Sequence, residues 1–393
     1  MSAEQLTAVG GPNHVKIFSG GAAIGAVLVG AGLAIEGARG WAALLHAGTY
    51  VVTLAATAAL LVSLAYVTGA GWSVVFRRVP EAIGAAAPWG ALVLAPAMIG
   101  IGALYHWSHA DVLAEDPILA GKAPWLNVPF FLGRTAGYVA IWALFAWILR
   151  KNSVAQDHDG DLAHTRANVR WATLYIIVYA LTFAAASFDW LMSLDPHWFS
   201  TMWGVYNFAG SMVSALATTL VVLVLLRRGG ALPELKDDHL HDLGRLLFGF
   251  TCFWAYIWFS QYMLIWYANI PEETEWFVHR GHGGWEVLYW AIPILLFVVP
   301  FFALLPRASK RSGSVLLQVS LVILVGRWVD LFVTIQPAVS ETPALGLSEI
   351  GATLLGLCVL ALAIGAGLRK ASMVPRKDPF LEESLHHHVG HTM

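Results

Sequence analysis

Apolar residues gather into ten long runs, each set off from the next by a short polar segment: 15–34, 44–69, 85–106, 127–150, 171–191, 202–227, 243–268, 285–305, 314–335 and 348–368. A helix must run about 20 apolar residues to cross the hydrocarbon of a bilayer, because every backbone polar group has to be paired inside it. Each run is therefore predicted as a transmembrane helix, and the chain as an all-α polytopic membrane protein. The first run is not a cleaved leader, since no clean A-x-A site follows a short apolar core. The polar breaks at 151–170 and 228–242 read as connectors, so nothing divides the chain into separate domains. The order suggests two four-helix units, helices 2–5 and 6–9, with the first and last helices outside them. The tail 371–393 carries His386, His387, His388 and His391. It reads as disordered, with metal binding the alternative.

Basic residues fix the orientation, because Lys and Arg accumulate in cytoplasmic loops. One set of alternate segments holds 18 of the 23 Lys and Arg residues. The opposite loops hold only Arg39, Lys122 and Arg280, and Arg134 and Arg327 fall within runs. Both termini are therefore expected in the cytoplasm. The outer loops carry His106, His109, Asp111, Glu115 and Asp116, then Asp195 and His197, then Glu272, Glu273, Glu275, His279 and His282. They are either solvated loops near the headgroups or a docking face for extramembrane partners.

Composition removes several classes. Of the 393 residues, 58% are apolar and 12% charged, against about 45–50% and 25% in soluble domains. Mean hydropathy is +0.65. Two cysteines, Cys252 and Cys358, exclude a disulfide scaffold. They also exclude an iron–sulfur cluster held by this chain alone, which takes about four thiolates. A net charge of −2 excludes a nucleic-acid binder.

Leaving aside those at the ends of the runs, among them Lys16, His106, Arg150, Arg227 and Arg245, six ionisable side chains are expected inside the membrane: His46, Arg134, Asp189, Glu286, Arg327 and Asp330. Each costs at least about 2.5–3.5 kcal/mol at the bilayer centre, so each needs a partner or water. The orientation and a rise of about 1.5 Å per residue put all six in the outer half of the membrane. Arg327 and Asp330 are i and i+3 on one helix and can pair. Asp189 with Arg134 would nearly complete the balance. The simpler explanation is that these pairs pin helices together, that His46 is a satisfied helix-end histidine, and that Glu286 complements the helix dipole. The inner half shows hydroxyls and no carboxylate: Ser63, Tyr66 and Thr68, then Tyr175 and Tyr179, then Ser211, Ser214 and Thr218 on one helix face. Such residues serve close helix packing or line a water wire.

Haem between helices needs two histidines at matching depth, and only His46 lies plainly inside a run. No spacing suits zinc or a di-metal site, so no metal is assigned. A quinone site needs less: an apolar slot, aromatic walls, and a His or carboxylate to take the quinol's proton. Two stretches offer this, SFDWLMSLDPHWFSTMWGVY from Ser187 and FSQYMLIWYANIPEETEW from Phe259. Both resemble the NrfD-type membrane subunits of alternative complex III, specifically the ActF type, quinone-binding subunit 2. The resemblance covers nearly the whole chain. It implies two four-helix bundles with two peripheral helices, within a quinol:electron-acceptor oxidoreductase of the bacterial inner membrane. The implied partners are a sister NrfD-like subunit, credited with oxidising quinol, and periplasmic iron–sulfur and haem c subunits. Such centres would sit in those partners and not in this chain.

The residues then take expected roles. His46 and Asp189 accept protons, Arg134 and Arg327 hold carboxylates ionised, and Glu286 and Asp330 complete an outer charge cluster. His46, Asp189 and His197 face the quinone. Ser211, Ser214, Thr218, Tyr175 and Tyr179 offer a proton path. One competing reading is a structural anchor that docks redox subunits through its acidic loops. The other is a secondary transporter, for which Pro88, Pro96, Pro293 and Pro300 give only a faint broken-helix pattern.

Overall fold

A computed structural model describes residues 11–389. The chain is all-helical, with no strand among the described residues. Among the described residues, nine helices are long and apolar enough to cross a membrane. They are α1 (Pro12–Glu36), α2 (Ala38–Val67), α3 (Arg78–Met98), α4 (Val128–Asp159), α5 (Leu162–Leu194), α6 (Trp203–Arg228), and, later in the chain, α8 (Trp285–Leu304), α9 (Gly313–Ala338) and α10 (Leu347–Arg369). The run at 243–268 folds as α7 (Asp237–Ala268). Its tryptophans and tyrosines, with Ser260 and Gln261, keep its mean hydropathy below that of the nine.

The inner-side boundaries differ from expectation. The break at 151–170 is helical except around Gly160, which sits at φ 75° and ends α4. Asp161 then caps α5 by accepting from the Ala163 N–H. The third run starts earlier than residue 85 and is broken into Arg78–Gly84, Ala87–Leu94, a tight turn at Ala95–Met98, and Ile101–Leu104. Pro88 and Pro96 each lack the N–H that would extend the ladder. In α8, Pro293 precedes a wide turn over Ile294–Val298.

Packing follows from small residues. α1 lies antiparallel along α10, where a Cβ on Gly25 would meet the Gly351 carbonyl at 2.8 Å and one on Gly351 would meet the Val29 nitrogen at 2.8 Å. Glycine lets the two backbones approach, and dispersion takes over from the hydrophobic effect in a lipid setting. The opposite face of α1 leaves Ile17, Ile24, Val27 and Ile35 exposed. α2 packs on α3, α4 and α5, and α6 packs on α7 and α9, while α2 and α6 also touch each other. α2 and α6 are buried along most of their length and form the centre. The face where α1 begins and α10 ends is called inner here, the opposite face outer.

The tail is not disordered over its described part. Asp378 pairs with Arg77, and Asp157 accepts from the Arg376 N–H at 2.9 Å. Ser384 is fully buried, accepting from the Val75 N–H at 3.0 Å and donating to the Trp72 carbonyl at 2.7 Å. His387 Nε2 meets Asp242 Oδ2 at 2.8 Å. His391 lies outside the described residues. Among those described, no group of three or more His, Cys, Asp or Glu side chains is arranged to hold a metal.

Candidate functional site

Asp189 sits near the outer end of α5 and is fully buried. Its carboxylate accepts from Arg134 Nε at 2.7 Å and Nη2 at 2.9 Å, from the Tyr138 hydroxyl at 2.8 Å and from Trp125 Nε1 at 2.8 Å. Arg134 lies between the Trp125 and Phe130 rings, each 4.2 Å from the guanidinium carbon. α4 supplies Arg134 and Tyr138 one turn apart, so both reach the same helix of the neighbour.

Beside this pair opens a cleft of about 500 Å³. Its walls include Lys122, Trp125, Phe188, Asp189, Trp198 and Phe199. The fold makes it by ending α5 at Trp190 and turning the chain through Met192–Leu194 to Pro196. That volume lies in the range of small-molecule sites, about 300–1,000 Å³. Lys122 donates one hydrogen bond to the Pro196 carbonyl at 2.5 Å, leaving two ammonium hydrogens for a ligand. Burial pulls its ammonium below the usual lysine range. Lys122 was not a candidate from the sequence, where it is one basic residue in a polar loop. His197 turns away from the cleft walls to Asp116. That hydrogen bond holds the Asp116 carboxyl below the usual range.

The second pair is intrahelical. Arg327 Nη1 donates to Asp330 Oδ2, and the Tyr206 hydroxyl to Oδ1. Arg327 Nη2 reaches Asn207 Oδ1 at 3.1 Å. Gly210 leaves room for the guanidinium here, since a Cβ would meet Arg327 Nη1 at 2.7 Å. His46 is buried with its ring 5.0 Å from that of Trp328, next to Arg327 in sequence. His46 Nε2 has no hydrogen-bond partner among the described residues. Glu286 bonds back to the Gly284 N–H at 2.8 Å, at the start of α8. The six charges therefore form two separate ion pairs, one histidine beside the second pair, and one helix-terminal carboxylate.

Several hydroxyls of the inner half are engaged within the helix pack, on their own helix or on α2. Ser214 donates to the Gly210 carbonyl at 2.8 Å and Tyr175 to the Ala56 carbonyl at 2.8 Å, while Tyr179 bonds Thr57 at 2.8 Å. Ser211 and Thr218 carry buried oxygens without partners among the described residues. The space between Tyr50, Ser211, Ser214 and Arg327 has a volume of about 0 Å³, too small for water.

The inner half does hold a carboxylate, contrary to expectation. Because α3 begins at Arg78, Glu81 falls in its first turn and is 3% exposed. Arg78 Nη1 reaches Glu81 Oε2 at 2.7 Å and Ser153 Oγ at 2.8 Å. On the outer side, Arg280 is also buried. It donates to the carbonyls of Val333 at 2.9 Å and Thr334 at 3.0 Å, tying the end of α9 to Asp195 at 3.1 Å. Neither was legible locally, since their partners are 53–85 residues away or lie on a helix that starts early.

No family model matches the chain, and no curated protein matches it.

Proposed function

We propose that this chain is an integral membrane subunit of a quinol-oxidising respiratory complex of the alternative complex III kind, and that the cleft beside Asp189 receives a quinone headgroup. The observation that carries this reading is the cleft's composition. Phe188, Asp189, Met192, Ser193, Pro196, Trp198 and Phe199 line it, and all belong to the stretch that resembles the NrfD-type subunits. The aromatic side chains suit a flat ring, and Lys122 can donate to one of its carbonyl oxygens. Asp189 takes the role of a fixed charge that positions Arg134 and Trp125, because its lone pairs are engaged. This replaces the proton-accepting role expected for it.

In this reading α7 is the tenth span. Its 32 residues reach about 48 Å, and its exposed Tyr256, Phe259, Trp266 and Tyr267 suit the lipid and its interface. Helices α2–α5 and α6–α9 are the two four-helix bundles, with α1 and α10 peripheral. The inner face is cytoplasmic in a bacterial inner membrane, as the basic residues suggest. The exposed acidic Glu272 and Glu275 face periplasmic iron–sulfur and haem c partners, beside a sister NrfD-like subunit.

A second reading, a structural anchor without a quinone, is favoured by the saturation of Asp189. Photolabelling decides between them. A photoreactive quinone added to native membranes labels the 188–199 segment and loses that labelling in Lys122→Ala if the first reading holds. Labelling confined to other subunits leaves the anchor.

A further inference from the structure

Asp189 and Asp330, two buried carboxylates of the outer half, differ in how their lone pairs are used. An ionised carboxylate has about four acceptor positions. Asp189 has filled four, with Arg134 twice, Tyr138 and Trp125. Among the described residues, Asp330 accepts from two side-chain donors, Arg327 and Tyr206. Asp330 also borders a void of about 10 Å³, together with Trp203, Gln261, Tyr289 and Thr334. A void of about that size admits one water if two or more polar groups hold it.

Two of the lining side chains have buried polar atoms without a partner among the described residues: Trp203 Nε1 and Gln261 Oε1. Trp203 is 1% exposed. The indole nitrogen can only donate and the amide oxygen can only accept. Leaving both unmade would cost about 1–3 kcal/mol each. One water satisfies both, accepting from Trp203 and donating to Gln261, with its second hydrogen free for a carboxylate.

We propose that Asp330 is the exchangeable, proton-carrying group of this chain, reached through one bound water held between Trp203 Nε1, Gln261 Oε1 and the Asp330 carboxylate. The inference deepens the respiratory reading above and rests on it for its purpose, though not for its test. The transfer is simple. A proton from the outer aqueous side arrives at the water oxygen, and the water passes its other hydrogen to an Asp330 oxygen. The carboxylate becomes a carboxylic acid, and the pair with Arg327 goes from neutral to singly positive. The reverse steps release the proton to the same side. Arg327 stays charged throughout, and no redox partner is consumed.

The test is infrared difference spectroscopy on the purified chain in lipid nanodiscs during pH titration, with H₂O exchanged for D₂O. The expected result is one deuterium-sensitive carboxylic acid band that titrates, disappears in Asp330→Asn and persists in Asp189→Asn. A band lost in Asp189→Asn, or no titrating band at all, overturns the proposal. Should Asp330→Asn fail to fold, Gln261→Leu decides. With the water present, Gln261→Leu removes a bond and lowers the melting temperature. With a dry void it removes an unsatisfied carbonyl and raises the melting temperature, which also overturns the proposal. Neither readout involves quinone, so failed photolabelling and failure here are separate outcomes.

Discussion

Replacing Arg134 with alanine separates a packed ion pair from a stranded charge. The substitution removes two charge-assisted bonds, at 2.7 and 2.9 Å, from a carboxylate with no solvent exposure. Breaking one side of a buried pair costs about 3–5 kcal/mol, mostly because the surviving charge is left without compensation. Tyr138 and Trp125 still donate to Asp189, which draws the value toward the lower end. Loss of the guanidinium from the Trp125 and Phe130 faces adds about 0.5–1 kcal/mol for each ring. A net cost of about 4 kcal/mol follows for Arg134→Ala. In the double variant with Asp189→Asn no charge is stranded. The remaining cost is that of lost neutral hydrogen bonds and stacking, about 2 kcal/mol. The double variant is therefore more stable than Arg134→Ala by about 2 kcal/mol, and since Asp189→Asn alone is expected to cost stability, the coupling is at least that large and well above the additivity error of about 0.5 kcal/mol. The assay is reversible denaturation in mixed micelles, followed by tryptophan fluorescence, on the full cycle of variants. A double variant no more stable than Arg134→Ala would refute the claim that Asp189 is held ionised by this pair.

Three further outcomes follow from other contacts. Gly351→Leu puts a side chain into a crossing where even a Cβ meets the Val29 nitrogen at 2.8 Å, so α1 detaches from α10. Disulfide trapping between Gly21→Cys and the native Cys358, whose Sγ lies 2.6 Å from the position of a Gly21 Cβ, should fall severalfold. Glu81→Leu leaves Arg77 and Arg78 short of a buried partner and should lower stability by about 3–5 kcal/mol, whereas a drop under about 1 kcal/mol in the same denaturation assay contradicts a structural role for the pairings. At the inner face, ahead of the apolar run of α7, His239 accepts the Lys236 N–H on Nδ1 at 3.0 Å and bonds the Ser384 carbonyl through Nε2 at 2.9 Å. Burial holds its pKa below 6.5. His239 binds a proton more readily when the tail is undocked and its ring is exposed, so docking strengthens as pH rises and weakens as it falls below about 6.5. Limited proteolysis of the tail, normalised to a free peptide, should quicken on acidification, and an unchanged rate contradicts the assignment.

Much of the fold could be read from the chain because lipid imposes a length rule that local sequence satisfies by itself. Helix boundaries at Trp203–Arg228 and Leu347–Arg369 fall within about two residues of the apolar runs. The Arg327–Asp330 pair was legible because i and i+3 share a face. The Arg134–Asp189 pair was legible because two charges at similar depth on adjoining helices need each other. Errors arose where polar sequence stays helical. Residues 151–159 continue α4 beyond the apolar run, and no hydrophobic period marks that extension. The folded tail was missed because its anchor, Ser384, is a small polar side chain whose partners Trp72 and Val75 lie about 310 residues away. Lys122 and Arg280 were missed for the same reason, since backbone carbonyls carry no sequence signal.

The central claim is that a quinone headgroup enters between Trp125, Lys122 and Phe199. A density map of the assembled complex in lipid, prepared with excess quinone, tests it most directly. The account predicts planar density in the cleft with one ring oxygen within hydrogen-bond reach of Lys122 Nζ. A cleft filled by a side chain of a neighbouring subunit, with quinone density only elsewhere, would contradict it.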